Sequence, residues 1–183
     1  MKELSLNILD ITENSLKANA SLVSIKLSED TEWLVIEITD NGDGMTEQTL
    51  KTVSDPFYTT RTTRKVGMGI PLFKLAAEQT GGRVDITSRH KDDFPGSHGT
   101  SVIARFNKNH IDFTPIGDVI STMVTLIQGH PDADFSFSHI NESREVMLDT
   151  RALREILGDV PLNSYEVLLW IQEHLMEQYE GFN

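Results

Sequence analysis

Residues 34–45 read Leu34-Val35-Ile36-Glu37-Ile38-Thr39-Asp40-Asn41-Gly42-Asp43-Gly44-Met45. Leu34, Ile36 and Ile38 fall on alternate positions, the period of a strand with one face in a core. The strand runs into Asp40-Asn41-Gly42-Asp43-Gly44, a cluster that no regular element tolerates. Glycines there allow positive φ and let the backbone come close to a planar ligand. A carboxylate at the strand end can accept a hydrogen bond from an exocyclic amine. Read alone, the segment is a tight turn, so its neighbours decide what it is for.

Upstream, Val23, Ile25 and Leu27 alternate in the same way and are joined to the quoted strand by a turn at Glu29-Asp30. Before them, residues 3–20 carry Leu4, Ile8, Leu9, Ile11 and Leu16 at mostly helical spacing, which predicts one helix. Downstream, Thr46 is expected to N-cap a short helix reaching about Val53. Residues 54–66 show no apolar period, and a loop that long often covers a functional site. Gly69-Ile70-Pro71 opens a second helix with Leu72, Leu75 and Ala76 on one face, ended by Gly81-Gly82. Val84-Ile86-Ser88 and Val102-Ala104-Phe106 read as strands on either side of a polar turn from His90 to His98.

Beyond that point a helix is expected over 115–129, then strands carrying Phe135 and Phe137, and Val146 and Leu148, around a turn at Asn141-Glu142-Ser143. Thr150 is expected to cap a short helix ending at Gly158. Asn163 or Ser164 is expected to cap a last helix carrying Val167, Leu168, Ile171, Leu175 and Tyr179. The whole pattern predicts an α+β sandwich, helices over a mixed, largely antiparallel sheet.

The chain has 183 residues, with 16 Lys and Arg against 28 Asp and Glu, a net charge of -12. Such acidity argues against nucleic acid and anionic membranes as partners, since both recruit clustered Lys and Arg. The absence of cysteine excludes disulfides and thiolate chemistry and fits a reducing compartment. No apolar run approaches the roughly 20 residues that span a bilayer, and the N-terminus lacks a signal-peptide core, so a cytoplasmic protein is expected. The charge is uneven. Residues 109–183 hold only Arg144, Arg151 and Arg154 against 13 acidic residues. That break predicts two units, 1–108 and 109–183.

Four segments carry chemistry. Asp10 and Asn14 are four apart on the first helix, so both project from one face. The amide oxygen of Asn14 can ligate a hard cation such as Mg²⁺, and the Asp10 carboxylate can accept a proton. The second segment is the Asp40–Met45 cluster. The third runs Pro56-Phe57-Tyr58-Thr59-Thr60-Arg61, through Arg64 and Lys65, to Gly67-Met68-Gly69-Ile70-Pro71-Leu72. Free N–H groups where a helix opens favour an anion, and the preceding cations add to that. The fourth is Gly99-Thr100, at the start of a strand. The six histidines show neither metal-site spacing nor the acidic residue that usually follows a phosphoacceptor histidine.

In this order and spacing the segments resemble the GHKL family of ATPases, whose fold is shared by histidine kinases, type II topoisomerases, mismatch-repair ATPases and heat-shock chaperones. Asp10-Ile-Thr-Glu-Asn14-Ser-Leu-Lys-Ala-Asn-Ala resembles the N-box, most closely its mismatch-repair form. Asp40-x-Gly42-x-Gly44 resembles the first glycine box, and Gly67-x-Gly69-x-x-Leu72 the second. Pro56-Phe-Tyr-Thr-Thr-Arg61 looks like a segment of many histidine kinases, and Gly99-Thr100 like the last motif.

The resemblance covers residues 3–107, and residues 109–183 resemble nothing recognised. It implies ATP and Mg²⁺ as ligands. Asn14 would ligate the metal, and Asp40 would accept from the adenine amine, with Gly44 and Thr100 helping to form that pocket. Gly67, Gly69 and their neighbours would hold the phosphates, and Lys65, Arg64 or Arg61 would steady the transferring group. Gly42, Met45, Thr60, Met68, Ile70 and Leu72 would also belong to the nucleotide site, with residues 54–66 as lid. Asp10 stands where hydrolysing members carry glutamate and histidine kinases carry asparagine. A carboxylate there suits water or a hydroxyl as nucleophile, whereas the Pro-Phe-Tyr-Thr-Thr-Arg segment points towards histidine kinases. With nine residues before Asp10, the expectation is a stand-alone kinase or ATPase module acting on a protein partner. The alternative is a non-catalytic ATP sensor whose lid gates partner binding. The last helix, with Trp170 and Met176 beside its apolar stripe, is expected to pack on the body or to form a dimer or partner surface.

Overall fold

The alternating segments pair into one sheet. The structure is a computed structural model that describes residues 3–53 and 69–182. Six strands, β1 (Leu22–Glu29), β2 (Trp33–Asp40), β3 (Arg83–Arg89), β4 (Gly99–Asn107), β5 (Asp134–Ile140) and β6 (Glu145–Asp149), lie in the order β3-β4-β2-β1-β5-β6. All neighbours are antiparallel except β1 and β5, which run parallel with Val23 opposite Phe135 and Leu27 opposite His139. The helices are α1 (Leu4–Lys17), α2 (Glu47–Val53), α3 (Gly69–Gln79), α4 (Val119–Gly129), α5 (Thr150–Leu157) and α6 (Tyr165–Tyr179).

One face of the sheet is apolar on every strand, as period-2 alternation requires. Val23, Ile25, Leu27, Leu34, Ile36, Ile38, Val102, Ala104 and Phe106 are all buried on it. Helix α1 lays Leu4, Ile8 and Ile11 on this face, and α3 contributes Phe73, whose ring sits 5.4 Å from that of Phe106. Helices α4 and α6 continue the layer with Met123, Leu126, Ile171 and Leu175. The opposite face carries no buried side chain.

The sheet does not stop at residue 108. Through β5 it carries the acidic segment on the same hydrogen-bond ladder as the rest. Two further ties cross that point. The N–H groups of Leu4 and Ser5, which α1 cannot satisfy within itself, donate to the carbonyls of Pro115 and Ile116 at 2.9 and 2.7 Å. His139 on β5 bonds Glu29 on β1 at 3.1 Å.

Several element ends differ from expectation, each for a local reason. Helix α1 ends at Lys17, not Ala20, because Asn19 adopts φ 61° and turns the chain. Helix α4 starts at Val119, not 115, because Pro115 and Ile116 serve α1 and Gly117 takes φ 80°. Asp118 then caps α4, accepting from Ser121 N at 2.9 Å. Asp149 caps α5 in place of Thr150. The Thr150 hydroxyl instead accepts from Phe135 N at 2.8 Å and donates to Asp134 at 2.9 Å. Ser164 precedes α6 as expected but makes no side-chain cap bond. Among the described residues no helix is long and apolar enough to cross a membrane.

Candidate functional site

The site grows from a polar residue on an apolar stripe. Leu4, Ile8, Ile11 and Ser15 share the buried face of α1, and Ser15 is 6% exposed. A hydroxyl placed there needs a partner. It donates to Asp40 Oδ2 at 2.6 Å, fastening the middle of α1 to the end of β2.

The other carboxylate oxygen of Asp40 is fixed from two more directions. Oδ1 accepts from Gly42 N at 2.9 Å and from Thr100 N at 3.2 Å. Asp40 and Thr100 are register partners on β2 and β4, so the sheet itself sets that approach. A carboxylate has about four lone-pair positions, so with three donors engaged Asp40 keeps capacity for one more. Beside it, Ser88 Oγ contacts Thr100 Oγ1 at 2.9 Å and accepts from Met45 N at 2.7 Å. A cavity of about 390 Å³ opens here, lined by Asp40, Ser88, Arg89, His98, Thr100 and neighbouring residues.

The loop after Asp40 is held along its length. Asn41 Oδ1 accepts from Ser21 N and Leu22 N at 3.0 and 2.9 Å. Asp43 accepts from Asn19 at 2.8 Å and from Lys91 at 3.0 Å. The bond from Asn19, then that from Lys91, holds the Asp43 carboxyl below its ordinary value. The His98 ring lies 2.6 Å from Gly42 O through Nδ1. Gly44 has φ 70°, and a Cβ there would sit 1.9 Å from Arg89 O, so neither the conformation nor the space admits a side chain.

Asp10 is exposed and Asn14 half-buried, one turn apart on α1. Gly69 opens α3 directly against Asp10, where an added Cβ would lie 3.0 Å from Asp10 Cβ. The first turn of α3, whose N–H groups have no partner within the helix, therefore starts beside Asp10. Ile70 is buried in the core, while Leu72 lies on the exposed side of α3. Asp40, Gly42, Met45 and Thr100 thus meet at the end of β2, with Gly44 packed on Arg89 beside them, while Gly69 meets Asp10 on α1. Thr60, Arg61, Lys65, Gly67 and Met68, together with the expected lid, lie outside the described residues. Ser88 and His98 join the cluster without having been marked by any motif, and Ser15 joins it from inside the N-box-like segment, where it was given no role.

The molecule is thus a six-stranded sheet with its helices on one face and an immobilised carboxylate at the end of a central strand, fastened to α1. The family model for the histidine kinase-, DNA gyrase B- and HSP90-like ATPases matches residues 2–110, and the chain belongs to that family. The sensor protein KdpD of Clostridium acetobutylicum is 28% identical over 94 residues, which is 49% of this chain and 10% of that protein. The chain thus matches about a tenth of that relative's length. Among solved structures, the MutL ATPase domain of Aquifex aeolicus complexed with ADP superposes with a TM-score of 0.55 at 16% identity, over 86% of this chain and 69% of that one. The N-terminal domain of a DNA repair protein gives 0.56 at 17% identity, over 81% and 53%. Both likenesses extend past residue 110 and speak for the fold.

Proposed function

We propose that this chain is an ATP- and Mg²⁺-binding module that transfers or hydrolyses the terminal phosphate in concert with a protein partner. The observation that carries the reading is the immobilised carboxylate of Asp40. Three donors fix it beside a glycine loop with no side chain to block a flat base, and one acceptor position remains. An exocyclic amine is the ligand group that position suits. The solved ATPase domain of MutL binds ADP, and this chain shares its fold.

The donor set fits the metal. Mg²⁺ usually keeps several waters and takes one or two protein oxygens plus substrate phosphates. Asn14 supplies one neutral oxygen on the face shared with Asp10. When bound, the ion would offset charge on the phosphate oxygens. The phosphates would lie between Asn14 and the start of α3, where Gly69 lets the helix end approach α1. Asp10 would accept the proton of a water or hydroxyl nucleophile. Arg61, Arg64 and Lys65 would close over the phosphates from the lid.

A second reading, a nucleotide sensor with little turnover, is favoured by Asp10 itself. It is exposed and has no hydrogen-bond partner among the described residues, and it is one methylene shorter than the glutamate it replaces. Comparing Asp10→Asn and Asp10→Glu separates the two. The enzyme reading expects Asp10→Asn to lower phosphate release or transfer at least about a hundredfold with ATP affinity unchanged, and Asp10→Glu to keep or raise the rate. Equal, negligible rates in all three proteins, with and without partner, would leave the sensor. Asn14→Ala should flatten the Mg²⁺ dependence of ATP binding in calorimetry; unchanged titrations would remove Asn14 from the metal site.

A further inference from the structure

The sheet face opposite the helices is uncovered, and its chemistry is unlike that of the molecule as a whole. Trp33, Val35 and Ile103 lie half-buried on it. Lys26 and Arg105 stand exposed around them, Lys26 paired in register with Glu37, and Arg105 with Val35 and Arg83. Arg83 is bound to Asp85 at 2.9 Å. Lys26 and Arg105 make no ion pair among the described residues, and neither does Glu37. In a chain of net charge -12, this is a short apolar strip, interrupted by Glu37, with two exposed cations beside it.

The complementary surface is on the same chain. Helix α6 turns Val167, Ile171 and Leu175 into the core against α4. Its outer arc carries Tyr165, Leu169, Trp170 and Met176, 75%, 40%, 46% and 54% exposed. Glu166, Glu173 and Glu177 run along that arc and also make no ion pair among the described residues. An exposed apolar helix face edged with acid is an interaction surface rather than a solvated one. Since its inner stripe is committed to α4, α6 cannot lie on the open face of its own sheet.

We propose that α6 of one copy docks on the open sheet face of a second copy, with Glu173 and Glu177 meeting Lys26 and Arg105. Because α6 lies in the helix layer and the open face on the other side of the sheet, the contact is heterologous: a pair buries one helix arc and one sheet face, and further copies can add in the same way. The argument for a second copy is complementarity within one sequence. Lys26 and Arg105 outnumber Glu37 among the unpaired charges of one surface, unpaired carboxylates line the other, and each surface holds one of the chain's two tryptophans.

Charge reversal tests it on the full chain. Wild-type protein should associate with rising concentration in sedimentation velocity, and less so in high salt, because exposed charges are screened. Lys26→Glu with Arg105→Glu should weaken association at least about tenfold, since like charges then face each other. Glu173→Lys with Glu177→Lys should do the same. Mixing the two variants places opposite charges in contact again, whichever supplies the helix, and should restore association. All four positions are exposed, so circular dichroism and Tm should match wild type. Tryptophan emission supplies a second readout: with Trp170→Phe, the remaining Trp33 should shift to the blue as copies associate. A monomer at every concentration, association indifferent to both reversals, or a mixture that fails to restore it would each overturn the proposal.

Discussion

Asp40 is the residue on which the adenine reading stands or falls. Its carboxylate accepts from Ser15, Gly42 and Thr100, so an amide in its place keeps only one accepting oxygen and turns an NH₂ towards existing donors. Asp40→Asn is expected to weaken ATP binding at least about tenfold, about 1.4 kcal/mol, in calorimetry with Mg²⁺ present. Unchanged affinity would move adenine elsewhere. Ser15→Ala is a gentler probe. It removes one bond to a charged group, worth about 1.5–3 kcal/mol, and should lower both affinity and Tm while leaving the metal dependence intact. Asp40 was legible because an acidic residue before two glycines at a strand end is conspicuous. Ser15 lay inside the N-box-like segment, but nothing local set it apart from Ser5 and Thr12, the other buried hydroxyls of α1. His98 and Ser88 carried no local signal, because only the sheet register brings them to the loop.

At the scale of elements, periodicity located the helices and strands, and the errors gathered at their ends. Ends are decided by who receives the orphan backbone groups, and here those partners are remote. Pro115 and Ile116 belong by pattern to α4 but give their carbonyls to α1, more than a hundred residues earlier. Thr150 resembles a cap but spends its hydroxyl on β5, leaving the cap to Asp149. Asp118, the cap of α4, accepts from both Ser121 N and Ser121 Oγ, at 2.9 and 2.6 Å. The bond from the Ser121 hydroxyl, then that from its amide, holds the Asp118 carboxyl below its ordinary value. Asp118→Ala should therefore cost about 1 kcal/mol, a drop of about 2–4 °C in Tm for a chain of this size. A Tm within 1 °C of wild type would show that the cap contributes nothing net. Gly44→Ala tests loop geometry instead: with φ 70° and Arg89 O in the way, it should lower Tm by more than Asp118→Ala does.

At the scale of the molecule, charge and alternation were poor guides to which strands pair. Net charge describes surfaces, and a run of alternating apolar residues fits any neighbour of the same period. The parallel pairing of β1 with β5 joins segments more than a hundred residues apart, and nothing local announces it. His139 shows how firmly the two parts are joined. It is 3% exposed, with Nε2 3.1 Å from Glu29 and Nδ1 2.9 Å from the Tyr179 hydroxyl. A neutral ring protonated on Nε2 satisfies both, donating to Glu29 and accepting from Tyr179. Glu29 in turn pairs with Lys108 at 2.7 Å. Burial pulls the His139 ring below its ordinary value, outweighing the opposing attraction of Glu29, and burial also pushes the Tyr179 hydroxyl upward. The unfolded chain therefore takes up a proton at His139 more readily than the folded one. The stability from the neutral ring is complete above the unfolded value, near pH 6.5, and drains as pH falls through that value towards the lower folded one. Wild-type Tm should thus fall between pH 7 and pH 5 by more than that of His139→Gln, which hydrogen-bonds without titrating. A gap of a few °C is expected, since about 1 kcal/mol moves Tm by about 2–4 °C here. Parallel curves for the two proteins would mean that another group governs the acid side.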